Sequence, residues 1–499
     1  MKDQALCRLR RSTLLVAFGA VLSSLAACGG SGSGSQTARS IQSMQISPVN
    51  PEAATGQTVQ LAAMATYADG TRDDVTGQVN WSSSNSAVAT PVANGQVAAM
   101  SPGFAVIRAS VSGVNAATQL TVTGTGAGLP PGYLYVASAD DLGRDVPGTV
   151  YQYAIQSDGS LAPLSSASAS TGTGPTAIVA APSGQFVYVA NARDGTISQY
   201  AVGAAGGLAA LAPAVVSVAG AFPFAAGLTL SMDPGGRFLY ALVQPTDPPG
   251  PVASIAQYAI ASDGTLTPLA PAYINVTASV GPLAIDPGGA YAYAAGWTNA
   301  PGGLVSQFAI GGGGTLAPLT PATVAATQTA IGMAIAPSGR TAYVLSTCVD
   351  SACDGQVAPY LIAANGVLTV SGSNTLTGAH VNPVAMVTDG AGSNAYLLAN
   401  YMGVDTNTGA VYQYAIDSMG TLVADTPASL AVSSGSVAES TYGSHLYVLS
   451  ANYIGFISGA QTGGYIDCYD MGTDGRLSPV NTTPVVSGWL TAMAVVVAH

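Results

Sequence analysis

Positive charge is what this chain of 499 residues has least of: Lys and Arg total 12 against 24 Asp and Glu, and no lysine follows Lys2. Nucleic acid and anionic lipid surfaces are recognised through a basic footprint, so neither is an expected partner. Histidine is scarce too, at three residues, and there are five cysteines. No phosphate loop, nucleophile elbow or paired Cys/His ligand set occurs, so the sequence implies no cofactor and no metal. Glycine is abundant, at 61 residues, in a chain only 7% charged. Small side chains in that proportion suit a tightly packed β-protein better than a helical enzyme.

The first thirty residues read as an export signal. Lys2, Arg8, Arg10 and Arg11 precede an apolar stretch from Leu14 to Leu22, too short to span a bilayer. Leu25-Ala26-Ala27-Cys28 then resembles the lipobox of bacterial lipoproteins, which implies that residues 1–27 are a signal peptide and that Cys28 is lipidated. Gly29 follows, where an Asp would resemble the inner-membrane retention signal, so the resemblance implies an outer-membrane address. Membrane association is expected through the lipid anchor only. From Cys28 onward eight arginines face 23 acidic residues, a formal charge near −15. Residues 28–40 carry the lipid site and a Gly/Ser-rich tether.

The other cysteines divide simply. Cys348 and Cys353 bracket a short loop, and outside the cytosol a local disulfide is expected. A metal site would need a nearby His or third Cys, and the sequence has neither there. Cys468 is left over, expected as a buried small hydrophobe.

Residues 41–123 alternate apolar and polar positions in short runs. Val59, Leu61, Ala63, Ala65 and Tyr67 fall on one face, and Ala68-Asp69-Gly70 ends the run. With Asp74-Val75-Thr76, Val79-Asn80-Trp81, Asn94-Gly95 and Gly103-Phe104-Ala105, this region resembles the group 2 bacterial Ig-like domain. That implies a β-sandwich with Trp81 in the core between two sheets. Asp73-Asp74 is expected in a solvated loop before a strand rather than on calcium. Gly124 to Gly132 reads as a linker.

From Tyr133 to the end the chain repeats. Ala181-Pro-Ser-Gly, Asp233-Pro-Gly-Gly, Asp286-Pro-Gly-Gly and Ala336-Pro-Ser-Gly mark tight turns. Tyr153, Tyr200, Tyr258, Phe308, Tyr360, Tyr414 and Tyr469 mark seven units, five of them preceded by Gln. Period two puts Tyr151, Tyr153 and Ile155 on one strand face and Val150 and Gln152 on the other, with the aromatic column packed between neighbouring units. Four short strands per unit make a propeller blade. The first unit lacks its opening strand, while Leu490-Thr-Ala-Met-Ala-Val495 matches Ile331-Gly-Met-Ala-Ile335. The last segment is therefore expected to close the ring as the inner strand of the first blade. The fold class is all-β: a seven-bladed β-propeller over 133–499 behind an N-terminal Ig-like sandwich.

Pro-x-Gly-Arg-Phe-x-Tyr and Gln-Tyr-x-Ile followed by Asp-Gly-Thr-Leu resemble the lactonase-type propellers, 6-phosphogluconolactonase-like and muconate-cyclising proteins. Tyr188-Val-Ala-Asn191 is also similar to YVTN repeats. The resemblance implies a His, Arg and acidic cluster at the channel mouth. His380 in its His-Val-Asn-Pro loop, Arg144 and Asp140 or Asp141 are the candidates. His445 takes the column of Phe186, Phe238 and Tyr291, a scaffold position. Glu439 is expected near a turn, away from the mouth. Arg237, Arg340 and Arg476 are expected solvated at turns, which leaves Arg144 and Arg193 in loops able to face a ligand. Asp405-Thr-Asn407-Thr-Gly409 reads as an Asx-rich turn, since the downstream Glu of a calcium loop is missing.

Cations this sparse favour a non-catalytic propeller that binds a ligand at the cell envelope. Trp297, Tyr401, Tyr453 and Trp489 stand around one rim, and aromatics there suit a glycan or an envelope protein. The alternative is lactone hydrolysis inherited with the fold.

Overall fold

The computed structural model describes residues 40–499 apart from 49–50, 87, 101–102, 124–131, 140–145, 219–226, 245–252, 277–280, 298–301, 327–328, 348–353, 373–374, 377–380, 402–408, 434, 452–463, 486–488 and 497–499. Strands and turns make up the described chain, and none of its elements is a helix.

The N-terminal module has three small sheets. Val114–Thr123 pairs antiparallel with Gly103–Val111 and parallel with Glu52–Ala54, and Asn80–Ser83 flanks them. Leu61, Ile107 and Leu120 are its most enclosed large side chains. The face predicted from Val59 to Tyr67 is the core face: Leu61, Ala63 and Ala65 are fully buried, with Val59 and Tyr67 packed against them. Trp81 departs from its expected central place. It lies half-buried at the edge of the core, where its indole N–H donates to the Thr76 carbonyl at 3.0 Å. An indole must satisfy that donor, and the core centre holds only aliphatic side chains. Asp73 and Asp74 lie in a short exposed strand, Arg72–Asp74, rather than a loop, and Asp74 accepts from the Thr76 N–H.

Seven sheets follow, taken here as blades 1 to 7. Blade 2 is typical, its strands running outward as Pro175–Ala180, Phe186–Asn191, Thr196–Val202 and Leu208–Ser217. Blade 5 divides its outer strand into Leu368–Val370 and Thr375–Leu376. Blade 1 is built from both ends of the repeat region. Its inner strand is Trp489–Val496, antiparallel to Tyr133–Ala139, with Val136 opposite Met493. The ring closes as the repeat count implies, and every blade has its inner strand.

Alternation along each third strand directs its side chains to two different neighbours. Tyr151, Tyr153 and Ile155 pack toward blade 7, while Val150 joins the core shared with blade 2. A second tyrosine column, in the second strands, locks every seam. Tyr188 donates to the Gly264 carbonyl of the next blade at 2.7 Å, and Tyr447 carries the ring shut by donating to Gly159. These turn glycines sit at φ near +80° beneath the first residue of the neighbouring second strand. A Cβ on Gly264 would lie 2.2 Å from the Phe186 ring, and one on Gly159 equally close to His445. His445 therefore covers a turn, the scaffold role expected of it.

The Ig-like module rests against the tight-turn face of the ring. Ser84 and Arg108 approach the turns of blades 3, 4 and 5 at Gly235, Gly288 and Gly339. Gln119 and Thr121 lie beside Gly390 and Gly443 of blades 6 and 7. The opposite face, where second strands hand over to third strands, faces away from this contact.

Candidate functional site

On that opposite face the described aromatics stand where the rim was expected. Trp297 ends the second strand of blade 4 and is 45% exposed; Tyr401 ends that of blade 6 and is 41% exposed. The Tyr412 hydroxyl donates to that of Tyr401 at 3.3 Å. Burial, followed by the bond to Tyr401, raises the Tyr412 hydroxyl above the ordinary phenol range, so it remains a neutral donor. Trp489 begins the inner strand of blade 1 opposite Ala139. Its side chain lies outside the described residues, as do His380, Arg144, Asp140, Asp141, Tyr453, Cys28, Cys348, Cys353 and the Asp405–Gly409 turn. The segments holding Arg144 and His380 join strands whose ends, Ala139, Pro147 and Val381, reach this same face.

Blade 2 displays how such a loop is held. Asn191 is fully buried and shares hydrogen bonds with Thr171, Thr196 and Ser198. Asp194 accepts from the Thr173 N–H of blade 1 at 2.5 Å, tying the loop to its neighbour. Arg193, in the same loop, is half-buried. The described candidates share a face but come from blades 2, 4 and 6.

The remaining polar groups sort differently from their sequence positions. Arg237 (63% exposed side chain) is solvated beside Asp233 and Phe238, and Arg476 beside Asp474. Arg340 is not simply solvated: it lines a cleft beneath the Ig-like module, because its turn meets that module. Glu439 lies on the inner strand of blade 7, away from the rim aromatics. Both its carboxylate oxygens are buried and lack a hydrogen bond of good geometry. Burial holds its carboxyl well above the usual range, against the weaker pull of main-chain N–H groups at Leu398 and Val387 of blade 6. Cys468 is buried as expected, its thiol pushed up to about 12, chiefly by burial. Among the described residues no group of three or more His, Cys, Asp or Glu is arranged to hold a metal.

The cleft is the feature that sequence reasoning missed. Ser84, Arg108 and Asn115 line it from the Ig-like side, and Asp286, Tyr291 and Arg340 from blades 4 and 5. Arg108 alternates with buried Ala105, Ile107 and Ala109, so it points off the sandwich core. Val106 on that outer face was the one available hint that the face is covered.

Fold and faces define a class: an all-β protein in which a closed seven-bladed propeller carries an Ig-like module on its tight-turn face. The profile of the bacterial Ig-like domain (group 2) matches residues 40–122, and that of the lactonase seven-bladed β-propeller matches 109–227. Each profile covers less than half of the chain, and the two agree in order with the observed Ig-like sandwich followed by a seven-bladed propeller. Among solved structures it is similar to a periplasmic gluconolactonase of Pseudomonas aeruginosa, with a TM-score of 0.56 and 18% identity over 74% of this chain and 99% of that one. It is also similar to a putative 6-phosphogluconolactonase of Bacteroides fragilis, with a TM-score of 0.52 and 17% identity over 74% and 98%. At these identities the likeness is one of fold. Ice-binding protein 1 of Shewanella frigidimarina is 41% identical over 87 residues, which are 17% of this chain and only 10% of that protein's length.

Proposed function

We propose that this chain is a lipid-anchored envelope protein whose propeller hydrolyses an uncharged sugar lactone at the face carrying Trp297 and Tyr401. The observation that carries the reading is the propeller's fold match to a gluconolactonase over nearly that protein's whole length. The lactonase profile over the first blades supports it. Lactone opening needs an activated water and a positive group beside the developing oxyanion. His380, with Asp140 or Asp141, is the candidate base, and Arg144 the candidate cation. A charge near −15 repels anionic lactones, so an uncharged ring is the favoured substrate.

The test uses protein extracted from membranes, with D-glucono-1,5-lactone and 6-phosphogluconolactone each measured against their spontaneous hydrolysis. Turnover of the uncharged lactone, lost in His380→Ala and Arg144→Ala, is the expected result. Rates equal to the spontaneous ones for both would sink the reading. Cys28→Ser tests the anchor, which predicts release into the soluble fraction.

A second reading has its own observation. Two large aromatics, Trp297 and Tyr401, stand exposed on one face, which suits non-catalytic binding of a glycan or an envelope protein. Loss of glycan retention in Trp297→Ala, in a protein without lactonase activity, would favour it.

A further inference from the structure

We propose that the cleft between the Ig-like module and blades 4 and 5 is a binding site for a small oxyanion, a carboxylate or a phosphate. Only eight arginines follow Cys28, and two of them, Arg108 and Arg340, line this one cleft of about 550 Å³. That volume holds a six-carbon acid or a phosphate with several waters.

Arg108 is committed to the cleft by its surroundings. It leaves the outer face of Gly103–Val111 and reaches the turns of blades 4 and 5. A Cβ on Gly288 would lie 2.8 Å from its Nη1, and one on Gly339 3.1 Å from its Nη2, so the guanidinium fits because both turns carry glycine. Nη2 is buried with no hydrogen-bond partner. Burial pulls the Arg108 pKa down, and Asp286 offsets this only in part.

Asp286 is the acidic residue lining the cleft, and its carboxylate is already engaged. It accepts from the N–H groups of Gly288, Ala290 and Tyr291 at 3.0, 2.6 and 2.6 Å. The cleft therefore holds two guanidinium groups, Arg108 and Arg340, and one carboxylate, whose oxygens serve the turn and which offsets the charge of Arg108 only in part. The result is a local excess of positive charge in a strongly acidic protein. A desolvated cation without a full counter-charge is costly, and an oxyanion bridging the arginines relieves that cost. Ser84 and Asn115 add polar groups from the Ig-like side. Such a ligand touches both modules, so its binding stabilises their docking by linkage.

Thermal melting and calorimetry of the full chain, at constant ionic strength set with sodium chloride, test this with two probes, inorganic phosphate and D-gluconate. A saturable rise in Tm with either probe is expected, and the probe that acts identifies the oxyanion as phosphate or carboxylate. Arg340→Gln, a turn residue outside the core, should keep the unliganded Tm and weaken binding at least tenfold. Arg108→Gln should abolish it. No saturable response to either probe would overturn the proposal, and so would a response unchanged in Arg340→Gln.

Discussion

The seven seams between blades are not equivalent. In five of them a glutamine of the third strand clasps two blades at once. Gln257 donates to the Pro271 carbonyl of its own outer strand and accepts from the Leu316 N–H of the next blade at 2.7 Å. Gln152, Gln199, Gln307 and Gln413 repeat the pattern. At the seams from blade 5 to 6 and from 7 to 1 the column instead holds Pro359 and Cys468. The tyrosine lock persists at all seven, but its length follows the clasp. It is 2.6 to 2.7 Å at the five clasped seams, and 3.0 and 2.9 Å at the other two. A buried amide that satisfies two backbone groups draws adjacent blades together; the Cys468 thiol gives only one weak bond across its seam, to the Gly159 carbonyl at 3.3 Å, and a proline ring gives none.

The comparison can be broken most severely at the 7-to-1 seam, where the ring is sewn shut. Deleting residues 490–499 removes most of the inner strand of blade 1 and bares the edge of Tyr133–Ala139. Insoluble protein, or a melting point lower by more than about 10 °C, is the expected outcome. A truncated chain that melts like the parent would mean that closure contributes little.

Next in size is the clasp itself. Gln257→Ala leaves the Leu316 N–H and the Pro271 carbonyl without their side-chain partner, at a cost of about 2–4 kcal/mol in denaturant unfolding. At the unclasped seam Cys468→Ala removes a small buried group and its weak bond to the Gly159 carbonyl and should cost about 1 kcal/mol. Equal costs would show that the two kinds of seam are energetically alike. With its thiol held near 12, Cys468 should also resist alkylation in the native state at pH 8, where mass spectrometry reads the adduct.

The smallest expected effect has the opposite sign and lies at a clasped seam. Glu439 faces blade 6 with its carboxyl raised well above the usual range by burial. A folded-state pKa above the unfolded one means that the folded protein binds the extra proton. Stability is then full below the ordinary glutamic acid range and falls as the pH rises through the raised value. Glu439→Gln removes that dependence, so Tm should rise by about 1–2 °C at pH 8 and hardly change at pH 4. A variant less stable than the parent at pH 8 would mean that the carboxylate has a partner in solution.

Much of this architecture is legible in the sequence. The Pro-x-Gly turns, the seven third-strand aromatics and the orphan strand at Leu490–Val495 specify the blade count and the closure. They do so because a strand's period of two and a turn's need for glycine are local rules. The same rules assigned Tyr153 and Gln152 to opposite faces and His445 to the scaffold. Local rules could not say what lies across a seam or beneath a turn. Glu439 against blade 6 and Arg340 under the Ig-like module each depend on a partner far away in the chain. The cleft that joins Arg108 to Arg340 depends on two modules meeting, with Arg108 passing close over Gly288 and Gly339. By itself the sequence determined the repeating unit, its number and its order. Only the tertiary structure decided which polar groups are left buried together, because desolvation depends on every element packed around a charge and not on the strand that carries it.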